Sequence, residues 1–291
     1  MCDEHTAKDN ARLLGDTGLS RRRFTTLGAA LATAFAMPRG AWAADLAEAE
    51  VDVTTPDGVA DCYFVHPATG RHAAVILWPD ILGLRAAYRT MGKRLAAEGY
   101  AVLVVNPYYR TTKAPAFEAG ASFQDDAVRT KAFGLMQTLT ADTNTTDAKA
   151  FAAFLDAQAA VDTSRRMGTM GYCMGGPITM RTAAALPDRI GAGASFHGAA
   201  LVTDKPDSPH LLVPSMHAGF LIAIAANDDE RQPEAKDVLR KAYDEAGVAA
   251  EIEVYEGAMH GWCTIDSPVY HEAQAERAWG RMLALFKQQL A

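Results

Sequence analysis

The stretch Gly171-Tyr172-Cys173-Met174-Gly175-Gly176 decides how the chain is read. A cysteine stands between glycines, after the short apolar run 166–172 and before the helix-like run 175–186. Strand, tight turn and helix in that order form the setting of a nucleophile elbow, glycine-x-nucleophile-x-glycine. The turn strains the backbone of its central residue, so the neighbours must be small, and Gly171 and Gly175 meet that demand. A cysteine there sits at a helix N-terminus, where the positive end of the dipole favours a thiolate. The backbone N–H of Met174, the next residue, would face a substrate oxyanion. An ordinary glycine turn holding a small apolar residue is the competing reading, and the rest of the chain decides between them.

Working outward, the pattern alternates strands with helices. Residues around Asp57-Gly58 alternate apolar and polar, as in a hairpin with Asp-Gly in its turn. Short continuous apolar runs at 73–79 and 100–105 suit strands buried on both faces. Further strands are expected at 166–172, 190–196, 221–226 and 250–255. Helices are expected at 88–99, 122–140, 145–160, 175–186, 233–246 and 270–290. The fold class is therefore α/β, a sandwich with a mostly parallel central sheet flanked by helices. In such sheets ligands bind at the C-terminal ends of the strands. The loops after Leu77, Tyr172, Ala226 and Tyr255 carry Asp80, Cys173, Asp228 and His260. Reactive residue types thus collect at four strand ends, which favours the functional reading of Cys173.

A cysteine nucleophile needs a base, and the base an orienting acid. In this fold the chain order is nucleophile, acid, histidine. Asp228 and then His260 follow Cys173 in that order, with Asp229 and Glu230 as neighbouring candidates for the acid. His66, His72, His210, His217 and His271 lack such a context. His197, after the 190–196 strand, is a candidate pocket residue.

The motifs GYCMGG, AAND (225–228) and GAMHGW (257–262) resemble those of the dienelactone hydrolase family of α/β-hydrolases. WPDILGLR (78–85) extends the resemblance, which spans roughly residues 50 to 290. It implies that Asp80 contacts the resting thiol and that the Ile81 N–H is a second oxyanion donor beside Met174. It also implies substrate contact by Arg129, which falls where the family has the first of two carboxylate-binding arginines. Where the second would fall, this chain has Thr264. The expected activity is hydrolysis of carboxylic esters or lactones through a Cys173–His260–Asp228 triad and an acyl-enzyme. Acyl transfer or amide cleavage at the same site is an alternative, as is a non-enzymatic binding or redox protein.

Composition bounds the rest. The chain has 291 residues, 49% hydrophobic and 22% charged, enough for one large domain. A net charge of −7 without a long basic run argues against nucleic-acid and membrane-surface roles. No metal-ligand spacing or phosphate loop is present, so no metal or cofactor is expected; the partner is a small ester or lactone and the chain is expected to be a monomer. Ser20-Arg21-Arg22-Arg23-Phe24 resembles a twin-arginine signal, and Ala41-Trp42-Ala43 fits a cleavage site. Residues 1–43 are thus expected to be an export signal and 44–291 the hydrolase domain, periplasmic and without a membrane anchor once the signal is removed. Removal leaves 22 Lys/Arg against 31 Asp/Glu. It also removes Cys2, leaving Cys62, Cys173 and Cys263 in an oxidising compartment. A Cys62–Cys263 bridge would leave Cys173 over, and Cys263, three residues past His260, is a candidate to bridge Cys173 instead.

Overall fold

The computed structural model describes residue 6, residues 8–12 and residues 45–291. The twin-arginine motif at 20–24 and the expected boundary at 43/44 lie outside the described residues. An eight-stranded sheet runs through the domain in the order β1-β2-β4-β3-β5-β6-β7-β8. Its strands are β1 (Leu46–Thr55), β2 (Gly58–Pro67), β3 (Ala74–Trp78), β4 (Ala101–Val104), β5 (Met167–Tyr172), β6 (Ile190–Phe196), β7 (Gly219–Ala225) and β8 (Ala250–Tyr255). The β1/β2 hairpin turns at Pro56-Asp57, one residue before the expected Asp57-Gly58, and Gly58 (φ +142°) opens β2 opposite Thr55. β2 pairs antiparallel with β4, and all later pairings are parallel.

The parallel strands read as continuous apolar runs because both faces are covered. Along β3, Val75 and Leu77 enter one core cluster while Ala74, Ile76 and Trp78 enter the other. The helices are α1 (Ala86–Ala97), α2 (Asp126–Met136), α3 (Ala141–Asp156), α4 (Gly175–Ala185), α5 (Ala226–Arg231), α6 (Ala235–Ala246) and α7 (Glu272–Gln289). α7 turns Ala278, Trp279, Met282 and Phe286 into the first cluster at helical spacing. α6 stops at Gly247, whose φ of +65° supplies the left-handed C-cap.

Four elements differ from the sequence pattern. α3 runs 141–156 rather than 145–160, because Thr140 and Thr143 cap it reciprocally at its start. α2 begins at Asp126 rather than 122, because the Asp125 carboxylate accepts from the N–H groups of Ala127 and Val128 and caps it there. Residues 209–215 form a 3₁₀ helix with Pro214 inside, which no periodicity announces. The segment after β7 is not a loop but the short helix α5, which carries Asp228 in its first turn.

β3 lies between β4, which follows it in sequence, and β5, so strand order reverses between β3 and β5. Such a switch point opens a crevice at the C-terminal ends of the two strands. Asp80 and Ile81 follow β3, and Cys173 follows β5, on that edge.

Candidate active site

Cys173 has φ +54°, a left-handed backbone that residues with a Cβ rarely adopt. Its surroundings hold it there. The Cys173 N–H donates to the Phe196 carbonyl (3.0 Å), and its carbonyl accepts from Gly176 N (3.0 Å) and Ala199 N (3.1 Å). The flanking glycines are sterically required. A Cβ on Gly171 would lie 2.2 Å from the Gly175 carbonyl oxygen, and one on Gly175 would lie 2.5 Å from the Trp78 oxygen. The turn therefore presses α4 against β3 and β5 more closely than any side chain would permit.

His260 comes from the loop after β8. Its Nδ1 is 2.6 Å from Asp228 Oδ2, and both side chains are largely buried. Burial alone would raise the Asp228 pKa, but the charge and hydrogen bond of His260 outweigh it and hold the carboxyl below its usual range. Asp229 is turned away and binds Lys236 at 2.6 and 2.8 Å. The histidine loop is fixed at its backbone as well: His260 N donates to Asn227 Oδ1 (2.8 Å), and Ala226 N donates to the Ala258 carbonyl (2.8 Å). Asn227 is a positioning residue that the sequence reading missed, although it stands directly before Asp228 in AAND.

Ile81, Met174 and Cys173 share one small apolar cluster above the sheet edge. Tyr108 joins them there: its hydroxyl donates to the Ile81 carbonyl (2.8 Å) and lies 3.1 Å from Met174 Sδ. Asp80, which the resemblance places against the thiol, is held in an ion-pair network. Arg85 binds both of its oxygens, at 2.7 and 2.9 Å, and Leu82 N donates to Oδ1. Arg85 in turn binds Asp266. Burial would raise the Asp80 pKa, but the Arg85 charge prevails and keeps it low. Arg85 follows Asp80 by five positions, yet the third member of the network comes from 181 positions beyond Arg85.

Arg129 lies on α2, paired with Asp126 of its own helix and reaching the carbonyls of Phe123 and Gln124. Thr264 is buried, with Oγ1 3.3 Å from the Tyr88 hydroxyl. His197, directly after β6, is 1% exposed, and its ring centroid is 4.9 Å from that of His260 in a T-shaped contact. The other histidines the sequence set aside bind elsewhere, His72 to the Gly99 and Thr69 carbonyls and His210 to Ser208.

Cys173 is disulfide-bonded in this structure. Cys62 and Cys263 are free and buried, so neither the Cys62–Cys263 nor the Cys173–Cys263 bridge is formed. Burial pushes both of those thiols well above their usual pKa. The described N-terminal residues lie against α5: Asp9 accepts from Asn227 Nδ2 (3.3 Å) and from Arg231, and Thr6 Oγ1 is 3.3 Å from Arg231 Nη1. Among the described residues, no helix is long and apolar enough to cross a membrane, and no group of three His, Cys, Asp or Glu is arranged to hold a metal.

A family model described as the dienelactone hydrolase family matches residues 60–290. The chain belongs to this family. An Escherichia coli (strain K12) protein named "Putative carboxymethylenebutenolidase" is 31% identical over 218 residues, covering 74% of this chain and 76% of its own length. A Methylorubrum extorquens protein with the same name is 27% identical over 294 residues, covering 96% of this chain and 97% of its own. Among solved structures, a dienelactone hydrolase described as putative, from Klebsiella pneumoniae, superposes with a TM-score of 0.73 at 25% identity. It covers 84% of this chain and 99% of that one. The sheet and its flanking helices are those of an α/β-hydrolase, and the family is one of hydrolases.

Proposed function

We propose that this hydrolase cleaves carboxylic esters or lactones with Cys173 as nucleophile, through an acyl-enzyme. The observation that carries the reading is the 2.6 Å His260–Asp228 bond, set at the same sheet edge as a cysteine held at φ +54°. Asp228 fixes the tautomer of His260 by accepting from Nδ1, which leaves Nε2 to act as base. His260 takes the Cys173 thiol proton, and the thiolate adds to the substrate carbonyl. The N–H groups of Ile81 and Met174 hold the resulting oxyanion. As the intermediate collapses, the carbon–oxygen bond breaks and His260 returns the proton to the leaving alkoxide. A water deprotonated by His260 then attacks the thioester. The carbon–sulfur bond breaks, the acid leaves and the thiol recovers its proton. Asp80, bound on both oxygens by Arg85, serves in this scheme as an anchor of the loop that carries Ile81.

The relatives' names support lactones as a substrate class for this chain. The test is hydrolysis of an activated acetyl ester by the reduced chain, with Cys173→Ala and His260→Ala beside it. Loss of activity in both variants supports the reading; equal rates in all three proteins refute it. Competing alcohol or amine acceptors in the same assay separate acyl transfer from hydrolysis.

A second reading is that of a redox or binding protein on the same scaffold. A reduced chain that alkylates at Cys173 but hydrolyses nothing would favour it. We also propose that residues 1–43 direct twin-arginine export and that the domain acts as a periplasmic monomer. Sequencing the N-terminus of the periplasmic protein tests the cleavage; an intact Met1 there would refute it. Light scattering tests the monomer, and a dimer mass would refute it.

A further inference from the structure

His197 carries more structural cost than a pocket wall requires. Its φ is +39°, in the left-handed region that favours glycine. It is 1% exposed, and both ring nitrogens are buried without a hydrogen-bond partner. A buried polar group left unpaired costs about 1–3 kcal/mol, so native structures seldom retain one without a use for it. The backbone puts the ring where it is. His197 N donates to the Ala223 carbonyl of β7 (2.8 Å), while the flanking Phe196 and Ala199 clasp the Cys173 peptide from both sides. The ring therefore sits on the clasp of the elbow, edge-to-face with His260 at 4.9 Å and with Trp262 at 6.4 Å. The Trp262 Nε1 is a second buried, unpartnered donor there.

The surrounding charges define what can bind. A neutral imidazole offers one donor and one acceptor, the complement of a hydroxyl. A carboxylate would enter a site that already holds the Asp228 and Asp80 carboxylates. The nearby guanidiniums are engaged: Arg85 by Asp80 and Asp266, and Arg129 by Asp126. An anion would therefore meet repulsion without an uncommitted cation among these residues to offset it.

We propose that His197 is a specificity-determining residue that binds an uncharged hydroxyl of the substrate beside the reacting carbonyl, selecting hydroxylated neutral esters or lactones over carboxylate-bearing ones. The proposal rests on the hydrolase reading above and deepens it. The two imidazole nitrogens, unpartnered within the protein, find their partner when that hydroxyl arrives, and the desolvation cost is then recovered.

The test compares three activated esters on the reduced full-length protein: p-nitrophenyl butyrate, p-nitrophenyl 3-hydroxybutyrate and mono-p-nitrophenyl succinate. The readout is the ratio of kcat/KM values, which a merely structural role would leave unchanged. Wild type is expected to favour the hydroxylated ester over the plain one by about 10-fold, the equivalent of one hydrogen bond, and to take the succinyl ester least. His197→Phe keeps a ring but removes both nitrogens, and the hydroxyl preference should fall to about 1 by the same reasoning. His197→Asn, which tolerates a left-handed backbone but lacks the reach, gives the same comparison should Phe disturb folding. A wild-type ratio near 1, a ratio kept in both variants, or a preference for the succinyl ester would overturn the assignment. Cys173→Ala, assayed beside them, distinguishes the two levels. Hydrolysis persisting in that variant would refute the nucleophile and leave the His197 ratio as a separate result.

Discussion

Acidification should weaken this fold in part through His197. Burial, reinforced by the neighbouring His260, lowers its pKa to about 3, whereas an unfolded histidine titrates near 6.5. The unfolded chain therefore binds a proton at His197 below about pH 6.5 that the folded chain refuses. Stability is fully present above that value and declines as the pH falls towards the folded pKa. Between pH 7 and pH 5 the loss is about 1.4 pH units of proton linkage, or about 2 kcal/mol. The figure depends little on the folded value, since any pKa below about 4 leaves the ring neutral at pH 5. The assay is urea unfolding of the reduced chain at pH 7 and pH 5, for wild type and for His197→Gln. Other groups titrate in both proteins, so the difference between their pH responses isolates His197. Wild type should lose about 2 kcal/mol more than the variant over this interval. Equal losses would mean that the ring accepts a proton in the folded state, and the argument from burial would be refuted.

Three further outcomes follow from the geometry. Gly171→Ala would drive a Cβ to 2.2 Å from a backbone oxygen, so the variant should lose about 3 kcal/mol or more, read by thermal melting; a melting temperature within a degree of wild type would contradict the packing described. Arg85→Leu leaves the Asp80 carboxylate buried and unpaired, a loss of about 3 kcal/mol in urea unfolding, with Asp80→Asn in the same background expected to restore part of it. Alkylation of the reduced chain at Cys173 with iodoacetamide should abolish ester hydrolysis; full activity after complete alkylation of that residue would contradict the need for its free thiol.

What the sequence disclosed and what it withheld divide along a physical line. β3, β4 and β5 were readable because both of their faces are buried, and continuous apolar runs follow from that. The hairpin was readable from its turn chemistry, although its turn residues are Pro56-Asp57 and Gly58 already belongs to β2. The elbow was legible because its steric demand falls on Gly171 and Gly175, next to the cysteine they serve. Asp228 could be preferred to Asp229 by position alone, and the structure turns Asp229 towards Lys236. Asn227 and Arg85 were not recognised, because their importance lies in partners 33 and 181 positions away. The capping of α2 by Asp125 shortened a helix whose apolar pattern extends further back. The 209–215 turn has no period to read, and the disulfide at Cys173 depends on a spatial approach that cysteine spacing does not encode.

The central claim is that Cys173 forms a covalent acyl intermediate. The direct measurement is intact-protein and peptide mass spectrometry of the reduced chain, quenched in acid within seconds of mixing with excess p-nitrophenyl acetate. One added acetyl group is expected on the peptide containing Cys173, absent from Cys173→Ala and lost on a longer incubation as water completes the turnover. Ester hydrolysis with no adduct on that peptide, or an adduct that survives in Cys173→Ala, would contradict it.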